Sequence, residues 1–297
     1  MRNSLLNMDG LGIAWYTTVA SSYLKSLSGP RPALYKSQSP PINDFNFRSL
    51  CDNTETKCVF AHIRASSGTT VTQVNSHPFV FGRHVWMHNG AISGFASIRR
   101  DMTELMNFDA YCNVLGSTDS EHAAALYITN LTNHGPKESW QHTYPLSAML
   151  AAMTKTVIQI MELQHEKIPA HDRAPNSLNF CTTDGEKMLA IRFRNHATQE
   201  PPSLYWSEFA GRTLNGKYPG HPDGPDVVNV EAVMGEDERI GKHTIIASEP
   251  TTYDEKEWHL IGKNCALMVD ESGVEVEVPI EYSGALNAED PNADEKK

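Results

Sequence analysis

The sequence predicts a mixed α/β layered protein, and three observations carry that expectation. Apolar runs of strand length lie at 58–65 and 85–87, apolar spacings of three and four run through 95–106 and 144–164, and a hairpin signal sits at Asp184-Gly185. Strands therefore fall in both halves of the chain, with helices between them.

Taken in order, Leu11 to Thr18 reads as a strand reached through Asp9-Gly10, where glycines permit a close backbone approach. Residues 28–44, SGPRPALYKSQSPPIND, carry four prolines and little apolar periodicity, so a surface loop is expected. The strand Cys58 to Ala65 has Phe60, His62 and Arg64 on one face, which puts Arg64 at a strand end. A second run, Val85-Trp86-Met87, leads into His88-Asn89-Gly90. There the Asn-Gly pair predicts a tight turn offering a side-chain amide and backbone N–H groups, the chemistry of an oxyanion hole. A plain hairpin turn accounts for the same pair.

Phe95 to Met106 has helical spacing, and its side bearing Phe95, Ile98, Met102 and Leu105 is expected to lie on a sheet. Thr118-Asp119-Ser120-Glu121 is a capping-box pattern that places Asp119 in the first helical turn, at the positive end of the dipole. Tyr144 to Gln164 is the longest helical pattern, and its Met-rich stripe reads as core. From Ser177 a hairpin turns at Asp184-Gly185, followed by short strands near 203–206, 244–248, 266–269 and 274–280. Residues 211–226 read as an exposed excursion. One domain over 1–282 and a disordered acidic tail over 283–297 are expected.

A formal charge of −11, from 25 basic and 36 acidic residues, argues against a nucleic-acid partner held by phosphate neutralisation. Five cysteines, an odd number without C-x-x-C spacing, indicate neither a disulfide framework nor a zinc ribbon. No uncharged apolar run approaches the length of a membrane span, and no secretory signature opens the chain. A soluble, cytoplasmic protein with no membrane partner is expected. His84 and His88 lie four apart in a strand-like run, H-E-x-x-H and G-x-x-x-x-G-K-[ST] are absent, and no metal or cofactor is expected.

Five spaced motifs, NMDGLGIAWYT (7–17), FAHIRASSGTTVTQVNSHPF (60–79), WMHNGAISGF (86–95), GSTDSEHAA (116–124) and IIASEP (245–250), together resemble the class II glutamine amidotransferases. These are N-terminal-nucleophile (Ntn) hydrolases, and the likeness is greatest to the fungal subunit that takes part in glutathione breakdown. The resemblance implies an α+β fold, the four-layer αββα sandwich, here expected to lack its first strand. It implies that the planar fork of Arg64 takes a substrate α-carboxylate, that Asp119 takes the α-ammonium, and that Asn89 and the Gly90 N–H stabilise the oxyanion as the catalytic donors. On the residues alone, Arg64 and Asp119 read first as structural ion-pair partners. Ser67, Gly68 and His77 lie in the same motifs and are expected in the pocket wall, with His77 either structural or catalytic.

Glutamine and a γ-glutamyl peptide such as glutathione present the same amino-acid end, so both stand as substrates. The absence of a recognisable synthase segment favours hydrolysis, and a peptidase-like partner subunit would fit a glutathione-degrading role. The family's nucleophile is a cysteine at the mature N-terminus, whereas here Arg2 follows Met1, and residues 7–17 match a segment that relatives place a few dozen residues in. Cys58 shares the face of His62 and Arg64 but has no adjacent base, and it reads as a buried structural thiol. This chain alone is therefore predicted to be inactive. The alternative is a non-catalytic binding or assembly subunit that keeps Arg64, Asn89 and Asp119.

Overall fold

The computed structural model describes residues 9–18, 29–64, 70–208, 243–252 and 255–288. Strand β1, Leu11–Thr17, pairs antiparallel with β2, Arg31–Ser37, on one side and with β3, Val59–Ile63, on the other. β2 corrects the loop expected over 28–44. It is an edge strand, and Pro32 lies opposite Tyr16. The Tyr16 N–H donates to Cys58 O on the β3 side, so the position facing Pro32 asks no N–H of it. Between β2 and β3 runs α1, Phe45–Asn53, whose N-terminus is capped by Asp44 accepting from Phe47 N at 2.9 Å.

Next come β4, Phe79–Phe81, and β5, His84–Ala91, then the helices α2, Phe95–Glu104, α3, Phe108–Asn113, α4, Asp119–Leu131, and α5, Leu146–Lys167. The hairpin β6, Ser177–Thr183, and β7, Met188–Arg192, forms as its Asp-Gly turn predicts. Asp184 Oδ1 accepts from Glu186 N and Lys187 N there, and Gly185 has φ +90°. The short strands β8, Tyr205–Ser207, β9, Ile245–Ala247, and β10, His259–Leu260, make a small sheet in the order β10-β8-β9. β11, Cys265–Val269, and β12, Glu275–Pro279, complete a six-stranded sheet in the order β12-β11-β7-β6-β5-β4, every pair antiparallel.

Period-two alternation divides the six-stranded sheet into two apolar faces. Trp86, Phe180, Leu189, Ile191 and Ala266 join the cluster built with α2, α4 and α5. Val85, Cys181, Ala190 and Leu267 face Ala14, Tyr16 and Phe60 of the β1–β3 sheet. The stripe Met149, Ala152, Met153, Thr156, Ile160 and Leu163 of α5 is buried, as its spacing predicts. With 22 residues and an 18-residue stretch of mean hydropathy 1.3, α5 is by length and composition long and apolar enough to cross a membrane.

Three further expectations change. The apolar side of α2, Ile98 and Met102, lies chiefly against α4 and α5, because the helix follows β5 into the helical layer instead of lying flat on a sheet. Asn89 and Gly90 form no tight turn: β5 runs on through Ala91, paired with Ser177–Asn179, and the chain turns afterwards, at Gly94 with φ +60°. The supposed tail is folded over its first residues, where Ser283 caps the turn Gly284–Leu286 and the Ala288 N–H donates to Asn195 O at 2.9 Å. The Gly- and Pro-rich stretch 211–226 and residues 289–297 lie outside the described residues.

Candidate active site

Past Trp86, β5 loses β4 as a neighbour, since β4 pairs only with His84–Trp86. A cavity of about 740 Å³ opens at that uncovered edge. The end of β3 supplies His62, Ile63 and Arg64 to it, β5 supplies His88 to Ala91, and the N-terminus of α4 supplies Thr118 to Ser120. Of the residues singled out in the sequence, Arg64, His77, Asn89, Gly90 and Asp119 all line it, while Ser67 and Gly68 lie outside the described residues.

The Gly90 amide is aimed by sheet geometry. Leu178, its cross-strand partner, donates its own N–H to Phe193 O, so the Gly90–Leu178 pair is of the non-hydrogen-bonded type and the Gly90 N–H faces away from β6. Ile92 has the same parity, and its N–H donates to Asp119 Oδ2 at 2.8 Å on the cavity side. Gly90 has φ +143°, and a Cβ there would stand 2.0 Å from Ser177 O, so only glycine fits. At Gly12 a Cβ would lie 1.9 Å from His77 O, which is the close backbone approach that brings the β1–β3 sheet up to the cavity.

Asp119 sits in the first turn of α4, whose cap is the Thr118 hydroxyl accepting from Glu121 N at 3.2 Å. Glu121 does not return to Thr118. Its carboxylate accepts from Leu115 N and Gly116 N instead, holding the loop before the helix. Asp119 Oδ1 accepts from Ser120 N at 2.7 Å, which with the Ile92 bond fixes the carboxylate plane and leaves further lone pairs for an incoming cation. Arg64, 4 % exposed, donates from Nη1 to Thr70 O at 3.2 Å, and its N–H donates to Gly10 O at 2.9 Å. Asn75 donates to the same Thr70 carbonyl and accepts from Ser117 N, tying the two loops around the cavity together.

Three histidines, the half-buried His62 and the buried His77 and His88, none of them assigned a firm role from sequence, stand behind these groups. The His62 and His77 rings lie 4.2 Å apart, and His88 Nε2 lies 3.0 Å from Ser177 O while its Nδ1 lies 2.9 Å from Ser120 Oγ. A carbonyl only accepts, so Nε2 carries the proton, and His88 Nδ1 and Asp119 Oδ1, the latter at 3.1 Å, compete for the one proton of the Ser120 hydroxyl. Burial above all pushes His62 down to about 4, with the His88 charge adding to it, and burial likewise lowers His77 and His88. All three are neutral at pH 7. Neither ring nitrogen of His77 has a hydrogen-bond partner, and the His77-Pro78 peptide is cis.

Ser248 and Glu249 form the wall that sequence reasoning left without a role, although both lie in the IIASEP motif. Asn89 Nδ2 donates to Ser248 Oγ at 2.9 Å. Behind the site, Gln164 and Asn176 exchange both side-chain amide bonds at 2.8 Å, and Asn176 Oδ1 also accepts from Ser93 N. Among the described residues no group of three His, Cys, Asp or Glu side chains is placed to hold a metal ion.

None of the five cysteines lines the cavity. Cys58, half-buried where a buried thiol was expected, lies 3.7 Å from Thr183 Oγ1 with its thiol pushed up by desolvation, and Cys181 is buried with its thiol likewise pushed up. Cys265 is partly covered, and Cys51 and Cys112 are exposed elsewhere on the surface.

A mixed α+β fold thus gathers an arginine, an aspartate and an Asn-Gly strand end around one cavity. The family model described as glutamine amidotransferases class-II matches residues 2–163, and the chain belongs to that family. It is 33 % identical over 273 residues to the probable glutamine amidotransferase DUG3 of Saccharomyces cerevisiae, covering 90 % of this chain and 71 % of that protein. Among solved structures it resembles a glutamine aminotransferase class-II domain protein from Silicibacter pomeroyi, with TM-score 0.60, 19 % identity and 92 % of each chain covered. It also resembles the glutamine phosphoribosylpyrophosphate amidotransferase of B. subtilis, with TM-score 0.53, 10 % identity, and 93 % of this chain against 44 % of that one covered.

Proposed function

We propose that the chain recognises the amino-acid end of a γ-glutamyl amide, glutamine or a γ-glutamyl peptide such as glutathione. The observation that carries this is the convergence of Arg64, Asp119, Asn89 and Gly90 on one cavity. Arg64 supplies a fork for the α-carboxylate, Asp119 an acceptor for the α-ammonium, and the Asn89 amide with the Gly90 N–H donors for the γ-carbonyl oxygen. An oxyanion donor of this kind contributes about 3 kcal/mol to a transition state. The glutathione link rests on the resemblance of the sequence motifs to the fungal subunit of glutathione breakdown, and a peptidase-like partner subunit fits that role. The two sheets packed face to face, with α4 and α5 outside one of them, support the αββα sandwich reading.

Amide cleavage needs a nucleophile at the γ-carbonyl, and every cysteine of this chain lies away from the cavity. That favours recognition without turnover by the 297-residue chain, the binding or assembly role. Calorimetric titration with L-glutamine, glutathione and D-glutamine, alongside an assay for released glutamate, tests both halves. Saturable binding of the L-amino-acid ligands without glutamate release is expected. Release above the blank overturns the non-catalytic half, and equal binding of D-glutamine overturns the pocket.

A further inference from the structure

We propose that Ser248 is a positioning residue for Asn89, holding its carboxamide in the orientation an oxyanion donor requires. The inference rests on the reading of Asn89 given above and extends the site beyond residues 2–163, where the family match ends. Asn89 is exposed at the uncovered edge of β5, and an exposed carboxamide turns over a broad torsional range. A primary amide carries two N–H donors. Committing one to Ser248 Oγ at 2.9 Å fixes the plane of the group and leaves the other for a ligand. Pre-set orientation is what gives an oxyanion donor its effect, since no reorganisation remains at the moment of reaction.

Ser248 is itself held by the body of the protein. It follows β9 directly, and β9 pairs with β8. The segment entering β8 is fastened to the six-stranded sheet. Asn179 Nδ2 donates to Pro202 O and Ser203 O at 3.1 and 3.0 Å, and Arg192 Nε donates to Pro202 O at 3.0 Å. Asn179 is the register partner of Asn89. The next residue, Glu249, accepts from Ser203 Oγ at 3.2 Å, giving the Ser248 segment a second tie at the same corner. The small sheet β10-β8-β9 thus delivers a hydroxyl to a side chain 159 positions earlier in the chain.

Two readouts on the 297-residue chain test the proposal. The first is the side-chain NH₂ resonance pair of Asn89 in a ¹⁵N-labelled sample, assigned by its disappearance in Asn89→Asp. Ser248→Ala is expected to shift the pair and speed its hydrogen exchange several-fold, and Ser248→Thr, which keeps the hydroxyl, is expected to restore it. The second is calorimetric affinity for L-glutamate, whose γ-carboxylate puts a charged oxygen before the Asn89 donor, against L-norvaline, which has no γ-oxygen. Ser248→Ala is expected to weaken glutamate roughly five- to tenfold, as for a lost hydrogen bond of ordinary strength, with norvaline unchanged. A resonance pair that does not move overturns the proposal, and so does an equal loss for both ligands, which marks a merely structural serine. Both of those failures leave the γ-glutamyl pocket standing. If the unaltered chain binds neither amino acid, the pocket reading falls and takes this proposal with it.

Discussion

In its first half β5 has β4 on one side and β6 on the other, and Val85 and Trp86 are 0 % and 2 % exposed. In its second half only β6 remains, and the same strand presents Asn89 and Gly90 to a cavity. One continuous strand is therefore packed core at one end and cavity wall at the other. Removing a single neighbour makes the difference. A strand paired on both sides spends its amides on the sheet, whereas one paired on a single side has half of them free for chemistry.

The largest effect should come from the packed half. Trp86→Ala removes a ring stacked at 4.6 Å from Phe180 and 5.1 Å from Tyr127, and urea unfolding should show a loss of about 3–5 kcal/mol. A loss below about 1 kcal/mol would make the two halves alike. Acid should act at the other half. The unfolded chain binds protons at histidine near pH 6.5, whereas folded His62 holds out to about 4. The unfolded state therefore gains protons first, and stability should fall as pH drops from about 6.5 to about 4, by on the order of 1–3 kcal/mol for this group. His62→Gln should flatten that slope in a pH series of urea midpoints.

Gly90→Ala places a methyl group against Ser177 O at a positive φ, and should cost about 1–3 kcal/mol while abolishing ligand binding. Unchanged affinity in that variant would separate the Gly90 amide from the pocket. Arg64→Lys keeps the charge and loses the fork, and calorimetry should register a ten- to hundredfold weaker L-glutamate complex, about 1.5–3 kcal/mol. Smallest of all, Arg100→Ala removes an exposed pair with Glu104 at 3.6 Å on α2 and should change the unfolding free energy from urea titration by no more than about a few tenths of a kcal/mol.

Helices α2, α4 and α5 and the β6–β7 hairpin were legible in the sequence because their signals are local, whereas α3 was not read. Met149, Met153 and Ile160 mark a buried stripe by spacing alone, and Asp184-Gly185 marks its own turn. Arg64, Asn89, Gly90 and Asp119 were legible as types and motifs, and their convergence came from tertiary structure. Strand β2 was hidden because whether Pro32 is tolerated depends on which way Tyr16, 16 positions earlier, points its N–H. Asn89-Gly90 mimicked a turn because the strand that extends it, Ser177–Asn179, lies nearly ninety residues on. Helix α1 buries no residue, so it offered no core stripe for periodicity to mark. Ser248 was visible only as a letter in a motif, since its partner Asn89 is in the other half of the chain.

The reciprocal amides of Gln164 and Asn176 have a bearing on uniqueness. Both side chains are buried, at 4 % and 0 % exposure, and each satisfies the other only in one relative placement of α5 and β6. Sliding the helix by one residue along the apolar layer would still set apolar groups against apolar groups, and its methionines adapt to new partners better than branched side chains do. The same slide would strand two desolvated amides, and Ser93 with them, at a cost of several kcal/mol. The pair thus works as a checksum on assembly. A chain whose helix has docked out of step is rejected energetically at a point only a few residues from Gly90, so any molecule that passes has its amide aimed into the cavity.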